Sequence, residues 1–439
     1  MTVTVKTYPN GFRMVYEKSM IALPLTTLHI FCDAGSVHEC DGLRGACHLI
    51  EHMCFKGTPN IKSQEIFQEY SKIGAYFNAY TEKRYTCYTV KCQDDYVRHC
   101  SAILADMLLN SMFNEKEFIK EEKVVVEENN NNENDPEIIV ENSTDEMLYH
   151  GSSYECPVDV LRYHTPHTLK YKDVVKFYHT HYHPDRMFLS TVSNLSLKDM
   201  DRIVKNTLFT KKARRHGGEP VIHHGIRLSR EPQYKLIEKR GVSNTEVTIG
   251  FRTCGRNSKD KYALNVLSRI MGNGLNGRLM VILREQKGLV YGALTSTDYY
   301  EHLGDFVFKT KTRAENLYFH GKREPGVLPL LFKIIDDMIK KGVTKEELET
   351  AKGNYKGAFL MGLQDIVVQT RYNGEELIFR GSDKIVAYKD IYETYIKDVT
   401  LEDIRDVIQK YFIRENMCIC ILSEKLPSLD VIRRLNTIR

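Results

Sequence analysis

Two histidines and a glutamate in the segment His48-Leu49-Ile50-Glu51-His52 have the residue types and the spacing of a metal-binding site. In a helix, His48 and His52 lie one above the other on one face, so their imidazoles can share one metal ion. Glu51 lies close to the same face, where its carboxylate can reach a water molecule on that metal. The order His-x-x-Glu-His combines two ligands with a general base. The segment therefore predicts a helical site for metal-assisted hydrolysis.

A metal site that does chemistry needs three protein ligands and one open position for water. The best candidates for the third ligand lie in a predicted helix that contains Glu121 and Glu128, which are seven residues apart and share a face. Val124 and Val125 lie between them and predict that this face points inward, whereas Glu127 points about 100° away, towards solvent. We therefore predict Glu128 as the ligand. Glu121 is predicted as an inward carboxylate that holds a histidine N–H or supports proton transfer.

The acidic helix predicted at 115–128 leaves two points open. Taken alone, its glutamates also fit a solvated helix face, because glutamate is rarely buried. The run from Asn129 to Asn132 fits a flexible loop, since Asn is a poor helix former, or a continuation of the helix to Asp135-Pro136.

The elements that must position these residues follow from periodicity and turn signals. A strand at 27–31 leads into the loop before the His48 helix, and that helix is predicted to stop at Lys56-Gly57-Thr58-Pro59. A β-hairpin is predicted at 74–81 and 85–90. Further helices are predicted at 63–73, 94–112, 115–128, 137–149 and 168–182, and a strand at 187–193.

The order of elements repeats after a polar, glycine-rich segment at 214–220. The strand at 245–251 parallels the one at 27–31, and the helix at 262–271 parallels the His48 helix without its histidines. We therefore predict a zinc-binding half at 1–213, a linker at 214–224 and a second half without metal ligands at 225–439. The predicted fold class is α+β, with two similar halves that each place helices on a mostly antiparallel sheet. Together the halves are predicted to form a clamshell around the active site.

The composition excludes several other classes of protein. A chain of 439 residues is too long for one ordinary core, and 42% hydrophobic with 27% charged residues is typical of a soluble globular protein. The 62 basic and 58 acidic residues nearly cancel, and no apolar run reaches the length of a membrane span, so neither nucleic acid nor a membrane is an expected partner. The amino terminus has no signal or transit profile, and the 11 cysteines contain no CxxC pair. We therefore expect a cytoplasmic protein with free thiols.

The segment around His48 resembles the active-site helix of the pitrilysin/insulinase family of zinc metallopeptidases. In that family a glutamate lies 76 residues after the second histidine, in a helix of the pattern Glu-x-x-Val-x-x-x-Glu. Counted from His52, that position is Glu128, and Glu121 begins the pattern. The resemblance covers nearly the whole chain and is strongest to the short two-domain members, which include mitochondrial processing peptidase subunits and bacterial homologues.

The resemblance also implies roles for residues outside the metal motif. The segment Phe77-Asn78-Ala79-Tyr80-Thr81 is similar to the family's substrate-pairing strand, which implies Asn78 and Ala79 as substrate-binding residues. The segment 283–292 is similar to the second-half segment that supplies an arginine and a tyrosine to the active site, here Arg284 and Tyr291. Tyr291 would donate a hydrogen bond to the oxyanion, with Arg284 nearby as a fixed positive charge.

Membership of the family would imply one Zn²⁺ per chain, held by His48, His52 and Glu128, with Glu51 as the general base and Glu121 as a supporting carboxylate. The expected activity is that of a zinc endopeptidase that hydrolyses peptides or unfolded polypeptide segments. The rival hypothesis is a catalytically inactive scaffold or partner subunit of the same fold. A homodimer or a heterodimer is compatible with either.

A second group of histidines, His179, His181 and His183, is predicted to lie at the surface rather than to bind a metal. Alternate positions align only on a strand, and Pro184-Asp185 signals a turn after a helix.

Overall fold

The computed structural model describes residues 2–39, 42–158, 169–213, 222–227, 229–272, 274–320, 324–381, 384–436 and 438. The chain divides into two compact units. Unit 1 comprises residues 1–131, 156–222 and 359–391, and unit 2 comprises residues 132–155, 223–358 and 392–439. The boundary between 222 and 223 falls inside the predicted linker, of which residues 214–221 lie outside the described residues.

The strands are β1 (Thr4–Thr7), β2 (Arg13–Lys18), β3 (Leu25–Cys32), β4 (Tyr76–Thr81), β5 (Thr86–Gln93), β6 (Met187–Ser193), β7 (Gln233–Glu238), β8 (Thr245–Cys254), β9 (Val290–Ser296), β10 (Leu303–Thr312), β11 (Phe319–His320), β12 (Glu324–Pro325) and β13 (Met417–Ser423). The predicted hairpin and the predicted strands at 27–31, 187–193 and 245–251 are confirmed, as β4–β5, β3, β6 and β8.

The helices are α1 (Ala46–Cys54), α2 (Ser63–Lys72), α3 (Val97–Leu109), α4 (Glu115–Asn132), α5 (Pro136–Leu148), α6 (Tyr171–His181), α7 (Leu197–Lys205), α8 (Leu208–Lys211), α9 (Asp260–Gly272), α10 (Val327–Lys341), α11 (Lys345–Gly362), α12 (Ile366–Arg380), α13 (Leu401–Tyr411) and α14 (Leu429–Leu435). Two π-helical segments lie at Met280–Gln286 and Tyr392–Ile396. None of the helices in the described ranges combines the length and apolar character needed to cross a membrane.

Unit 1 is built on a six-stranded sheet in the order β1-β2-β6-β3-β5-β4. Only β2 and β6 pair in parallel, and every other neighbouring pair is antiparallel. One face of the sheet carries an apolar core in which Leu49, Ile50 and Met53 of α1 are fully buried. This core holds α1 in place, so its opposite face is free to present side chains to a site.

The other face of this sheet is covered by α12 through polar and close apolar contacts. The amide of Asn373 donates to the buried carboxylate of Glu17 at 2.7 Å, and Thr27 and Thr370 hydrogen-bond to each other. Gly374 has no side chain where it meets the ring of Phe31, since a Cβ there would overlap the ring. The helix therefore fits this face of the sheet at a position that only glycine allows.

Unit 2 is built on a five-stranded sheet in the order β7-β13-β8-β10-β9, with β11 and β12 as a separate short pair. The pair β13–β7 is parallel and the remaining pairs are antiparallel. Helix α5 packs on β8 and β13. The predicted α+β class, with two mostly antiparallel sheets that carry helices, is confirmed, and the clamshell stays a prediction.

The predicted contiguous halves differ from the observed units in two segments. Residues 132–155, which contain α5, belong to unit 2, and residues 359–391, which contain α12, belong to unit 1. The reason is that each helix packs on the sheet built mainly from the other half of the sequence. Periodicity predicts such a helix but cannot say which sheet will receive it.

Two local predictions also need correction. His181 and His183 are buried rather than exposed: the His181 ring stacks on Phe177 with centroids 3.9 Å apart, and His183 Nε2 contacts Thr180 O at 2.7 Å. In α4, Val125 is fully buried but Val124 is 40% exposed, so only one of the two valines anchors the helix.

The asparagine run from Asn129 to Asn132 belongs to α4, which settles the open choice between a loop and a helix. Asn129 is buried, so packing rather than intrinsic propensity holds this last turn. The next helix, α5, begins at Pro136 with the side chain of Asp135 accepting a hydrogen bond from the N–H of Glu137.

Candidate metal centre

Helix α1 begins at a buried carboxylate. Gly45 adopts a left-handed conformation, with φ of 83°, at the N-terminal cap. Its N–H donates to Glu39 Oε2 at 2.7 Å, and the N–H of Cys47 donates to Glu39 Oε1 at 2.8 Å. Burial raises the pKa of Glu39 to about 7, although these two hydrogen bonds act in the opposite direction. A carboxylate at this end of the helix satisfies backbone donors that the helix itself leaves unpaired.

The predicted ligands come together at one point of unit 1. His48 Nε2 lies 3.7 Å and His52 Nε2 lies 3.5 Å from Glu128 Oε2, and the two imidazole centroids are 4.9 Å apart. One ligand atom from each residue lies within 4.8 Å of the other two. Atoms bound at about 2.0–2.1 Å to one tetrahedral ion lie about 3.4 Å from each other. Two imidazole nitrogens and one carboxylate oxygen at this spacing therefore fit Zn²⁺.

The two histidines of the cluster are largely buried, which favours metal binding, whereas the side chain of Glu128 is 46% exposed. The side chains of His48 and His52 are 15% and 18% exposed, so a small molecule can reach them. The pKa of His52 is lowered, first by burial and then by the neighbouring His48. A lowered pKa favours the neutral imidazole, which is the form that binds a metal.

Glu121 lies behind His52, as its helical phase predicts. Glu121 Oε2 is 3.4 Å from His52 Nδ1, the ring nitrogen that does not face Glu128. The ammonium of Lys56 lies 2.6 Å from the other oxygen, Glu121 Oε1. A carboxylate that contacts the second nitrogen of a ligating histidine fixes the tautomer and orientation of its ring. Glu127 is exposed, as predicted.

Glu51, which lies in α1 three residues after His48 and one before His52, contacts the edge strand β4. Its Oε2 accepts a hydrogen bond of 2.6 Å from the hydroxyl of Thr81, the last residue of β4. The sequence reasoning missed Thr81 and Lys56 as neighbours of the site. Thr81 lies within the segment that resembles the substrate-pairing strand, and Lys56 follows His52 by one helical turn, so both lay close to residues already singled out.

Asn78 and Ala79 lie in the same edge strand. Strand β4 lies at the edge of the sheet as described and pairs with β5, with Asn78 opposite Thr89 and Ala79 opposite Tyr88. Asn78 is exposed, whereas Ala79 is half-buried and packs against the core that holds α1. Alternation along the strand places Ala79 on the same face as Thr81, which contacts Glu51. Within the described residues the other edge of β4 has no strand partner, and β4 lies beside the helix that carries the histidines.

Arg284 and Tyr291 are found together in unit 2. Arg284 lies in the π-helical segment, and its guanidinium is 5.3 Å from the ring centroid of Tyr291 on the edge strand β9. The Tyr291 side chain is 84% exposed. The contact is a cation–π interaction that orients the two side chains towards one another. Their roles at the metal centre stay predictions.

Comparison with protein-family models places the chain among peptidases. Residues 17–158 match the model described as insulinase, peptidase family M16, and residues 168–355 match the model described as peptidase M16 inactive domain. The first match contains His48, Glu51, His52 and Glu128, and the second contains Arg284 and Tyr291.

Two curated relatives that are described as zinc proteases align with this chain over most of their length. An uncharacterised zinc protease of Bacillus subtilis, YmxG, is 27% identical over 409 residues, which are 92% of this chain and 95% of that protein. An uncharacterised zinc protease of Streptomyces coelicolor is 26% identical over 92% of this chain and 86% of its own length.

Solved structures show the same fold. A protease from Helicobacter pylori superposes with a TM-score of 0.85 at 20% identity, covering 96% of this chain and 99% of its own. A peptidase M16 inactive domain from Pseudomonas fluorescens gives 0.84 at 18% identity, covering 98% and 99%. With two matching family models and relatives aligned over nine-tenths of its length, the chain belongs to the insulinase family of peptidases, family M16.

Proposed function

We propose that the chain is a zinc-dependent endopeptidase that hydrolyses peptides or unfolded polypeptide segments. The observation that carries this proposal is the cluster of His48 Nε2, His52 Nε2 and Glu128 Oε2, two of whose members share helix α1 with Glu51. These three ligands would hold one Zn²⁺ per chain and leave a coordination position for water or substrate. When bound, Zn²⁺ acts as a Lewis acid that polarises a carbonyl and makes water more acidic.

The side chains around the cluster have different roles in the proposed reaction. Glu51 accepts the proton of the attacking water on its carboxylate and transfers it to the nitrogen of the leaving amine. Glu121 holds the His52 ring through Nδ1, with Lys56 fixing the carboxylate. We retain the roles that the family resemblance implies for Tyr291, a hydrogen-bond donor to the oxyanion, and for Arg284, a fixed positive charge.

The position of β4 at the edge of its sheet is an argument for a peptide substrate. Its outer edge, which includes Asn78 and Ala79 and has no partner strand in the described part of the chain, can pair with the main chain of an extended peptide whatever the side chains of that peptide are. Pairing of this kind requires a segment that is not already in a sheet or helix, which is why we propose short peptides and unfolded segments. The cytoplasmic location stays a proposal that rests on the cysteine pattern.

The alternative, an inactive scaffold or partner subunit, finds one point of support in a family model described as an inactive domain. That match covers residues 168–355, which contain none of His48, Glu51, His52 and Glu128. The match over residues 17–158, which does contain them, has no such description. The complete ligand set therefore favours the enzyme.

The proposal is tested by metal analysis of the purified protein together with cleavage of a random peptide mixture, analysed by mass spectrometry. We expect about one zinc per chain and new peptide termini. Glu51→Gln should keep the zinc and the fold but lower the cleavage rate by about two to four orders of magnitude, the range that general acid–base catalysis contributes. Light scattering on the same fractions gives the oligomeric state of the active species.

Two results would contradict the proposal. Stoichiometric zinc without any cleavage, alone or in an oligomer, would favour the inactive subunit. Full turnover by Glu51→Gln would remove Glu51 from its role as the base.

A further inference from the structure

The hydroxyl group of Thr81 connects the edge strand β4 to the carboxylate of Glu51. Thr81 Oγ1 donates to Glu51 Oε2 at 2.6 Å, and the two residues are 30 positions apart in the sequence. Glu51 is buried and Thr81 is half-buried, so water competes little for this contact. Hydrogen bonds to an ionised carboxylate are shorter and stronger than neutral ones, and 2.6 Å lies within their range.

The neighbouring threonine, Thr86, does not compete with Glu51 for the hydroxyl proton of Thr81. Thr86 stands opposite Thr81 in the β4–β5 pairing, and the two hydroxyl oxygens are 3.5 Å apart. Thr86 is buried and donates its own proton to the carbonyl of Ala34 at 2.8 Å. A threonine hydroxyl has one proton, so Thr86 cannot also donate to Thr81. The single proton of Thr81 then goes to the nearer and charged acceptor, Glu51.

The backbone on both sides of this contact is fixed. Thr81 is held by its pairing with Thr86, and α1 is held by its apolar face in the core of unit 1. The Glu51 side chain has three torsions, so the contacts of its carboxylate decide which position that carboxylate takes. The hydrogen bond from Thr81 to one carboxylate oxygen favours one of these positions.

We propose that Thr81 is a positioning residue for the Glu51 general base. This inference rests on the proposed function, because it assigns Thr81 to the same reaction. It also ties the base to the substrate: Asn78 and Ala79 lie in the same short strand, so the strand that would pair with a peptide also fixes the carboxylate that acts on it. A shift of that strand would move both together.

The test uses three variants of the full chain. Thr81→Val keeps the shape of the side chain and removes the hydroxyl, and Thr81→Ser restores the hydroxyl. Thr191→Val is the matched control, because Thr191 is a buried threonine of the same sheet whose hydroxyl donates to the carbonyl of Thr27 at 2.6 Å and does not contact Glu51.

For Thr81→Val we expect kcat on peptides to fall about ten- to hundredfold, since misplacement of a catalytic group by about 1 Å has an effect of that size. KM should change less than about twofold and zinc should stay at about one per chain, because neither the strand edge nor a ligand is altered. Thr81→Ser should recover kcat to within about threefold of the native protein, and Thr191→Val should leave it unchanged.

Crystal structures of the native protein, Thr81→Val and Thr81→Ser provide a readout that does not depend on activity. We expect one position of the Glu51 carboxylate in the native protein and in Thr81→Ser, and a displaced or divided carboxylate in Thr81→Val. An unmoved carboxylate in Thr81→Val would overturn the inference, as would an unchanged kcat. If the native protein cleaves no peptide, the proposed function fails, and the structures still decide whether Thr81 positions Glu51.

Discussion

The two units carry a similar local arrangement with different side chains. In unit 1, α1 follows β3 and packs against the edge strand β4, and in unit 2, α9 follows β8 and packs against the edge strand β9. In both, a threonine of the edge strand contacts a polar side chain of the helix. In unit 1 the pair is Thr81 and Glu51, 2.6 Å apart, and in unit 2 it is Thr295 and Ser268, 2.8 Å apart.

The two pairs share a backbone arrangement but differ in the chemistry of the helix side chain. The hydroxyl of Ser268 cannot accept a proton from water near neutral pH, whereas the carboxylate of Glu51 can. The described part of the chain holds one group of three metal-binding side chains, and all three belong to unit 1. A helix beside a strand edge therefore supplies a location, and the identity of a few side chains decides whether that location binds a metal.

The largest expected effect comes from making α1 more like α9. His52→Ala removes one of three ligands and leaves two, so the variant should lose its zinc on dialysis and show no hydrolysis. The loss of zinc affinity should exceed the roughly 100-fold loss that is typical when a residue that contacts a metal ligand is mutated. Zinc is measured by atomic emission and activity by peptide cleavage. Ser268→Ala in α9 is the matched control and should keep both, and a zinc-free Ser268→Ala would break the comparison.

Unit 2 is expected to contribute through Tyr291 rather than through α9. Tyr291→Phe removes the proposed donor to the oxyanion, so kcat should fall by about one to three orders of magnitude while zinc is retained. Steady-state kinetics on a cleaved peptide measures this. Tyr96→Phe removes the hydroxyl of another exposed tyrosine, in unit 1, and should have no effect. Equal kcat for the native protein and Tyr291→Phe would limit the catalytic groups to unit 1.

A smaller effect is expected from the support behind His52. Lys56→Met removes the ammonium that contacts Glu121 Oε1 at 2.6 Å, so that carboxylate is less well fixed against the imidazole. Zinc affinity should fall about 10- to 100-fold, as for other partners of ligating histidines. Competition with a chelator measures it. Lys72→Met breaks an exposed pair with Glu69 of the same 2.6 Å length and should leave affinity unchanged. Equal affinities for both variants would contradict the support role.

The smallest effect concerns stability, where the two sheets are expected to respond to pH in opposite directions. In unit 1, burial lowers the pKa of His29 to about 3, with Arg371 adding to the shift, so the unfolded chain binds the proton first. Stability is then present above the unfolded pKa of about 6.5 and is lost as the pH falls towards 3.

In unit 2, burial raises the pKa of Asp305 well above its ordinary 3.8, reinforced by Asp298. The contribution of this group is full below 3.8 and is lost as the pH rises. His29→Gln should therefore flatten the acid side of the stability profile and Asp305→Asn the alkaline side. Urea unfolding midpoints followed by circular dichroism across the pH range measure both. Profiles parallel to that of the native protein would show that neither group is linked to folding.

Short-range geometry made much of the metal centre predictable. The four-residue spacing of His48 and His52 and the two-turn spacing of Glu121 and Glu128 are properties of any α-helix, so sequence alone could choose Glu128 over Glu127. The same holds for the positions of the helices and strands, because their hydrophobic periods are local. Arg284 and Tyr291 were named through a family resemblance, not through such geometry.

What depends on residues far apart in the sequence was decided only by tertiary structure. The contacts of Thr81 with Glu51 and of Lys56 with Glu121 join separate elements, and the buried His181 ring meets the ring of His38, 143 positions earlier, with centroids 5.5 Å apart. Likewise, α5 and α12 each pack on the sheet formed mainly by the other half of the chain. Sequence periodicity determines which face of an element is apolar; packing between elements determines what that face meets, and therefore which side chains surround the ligands.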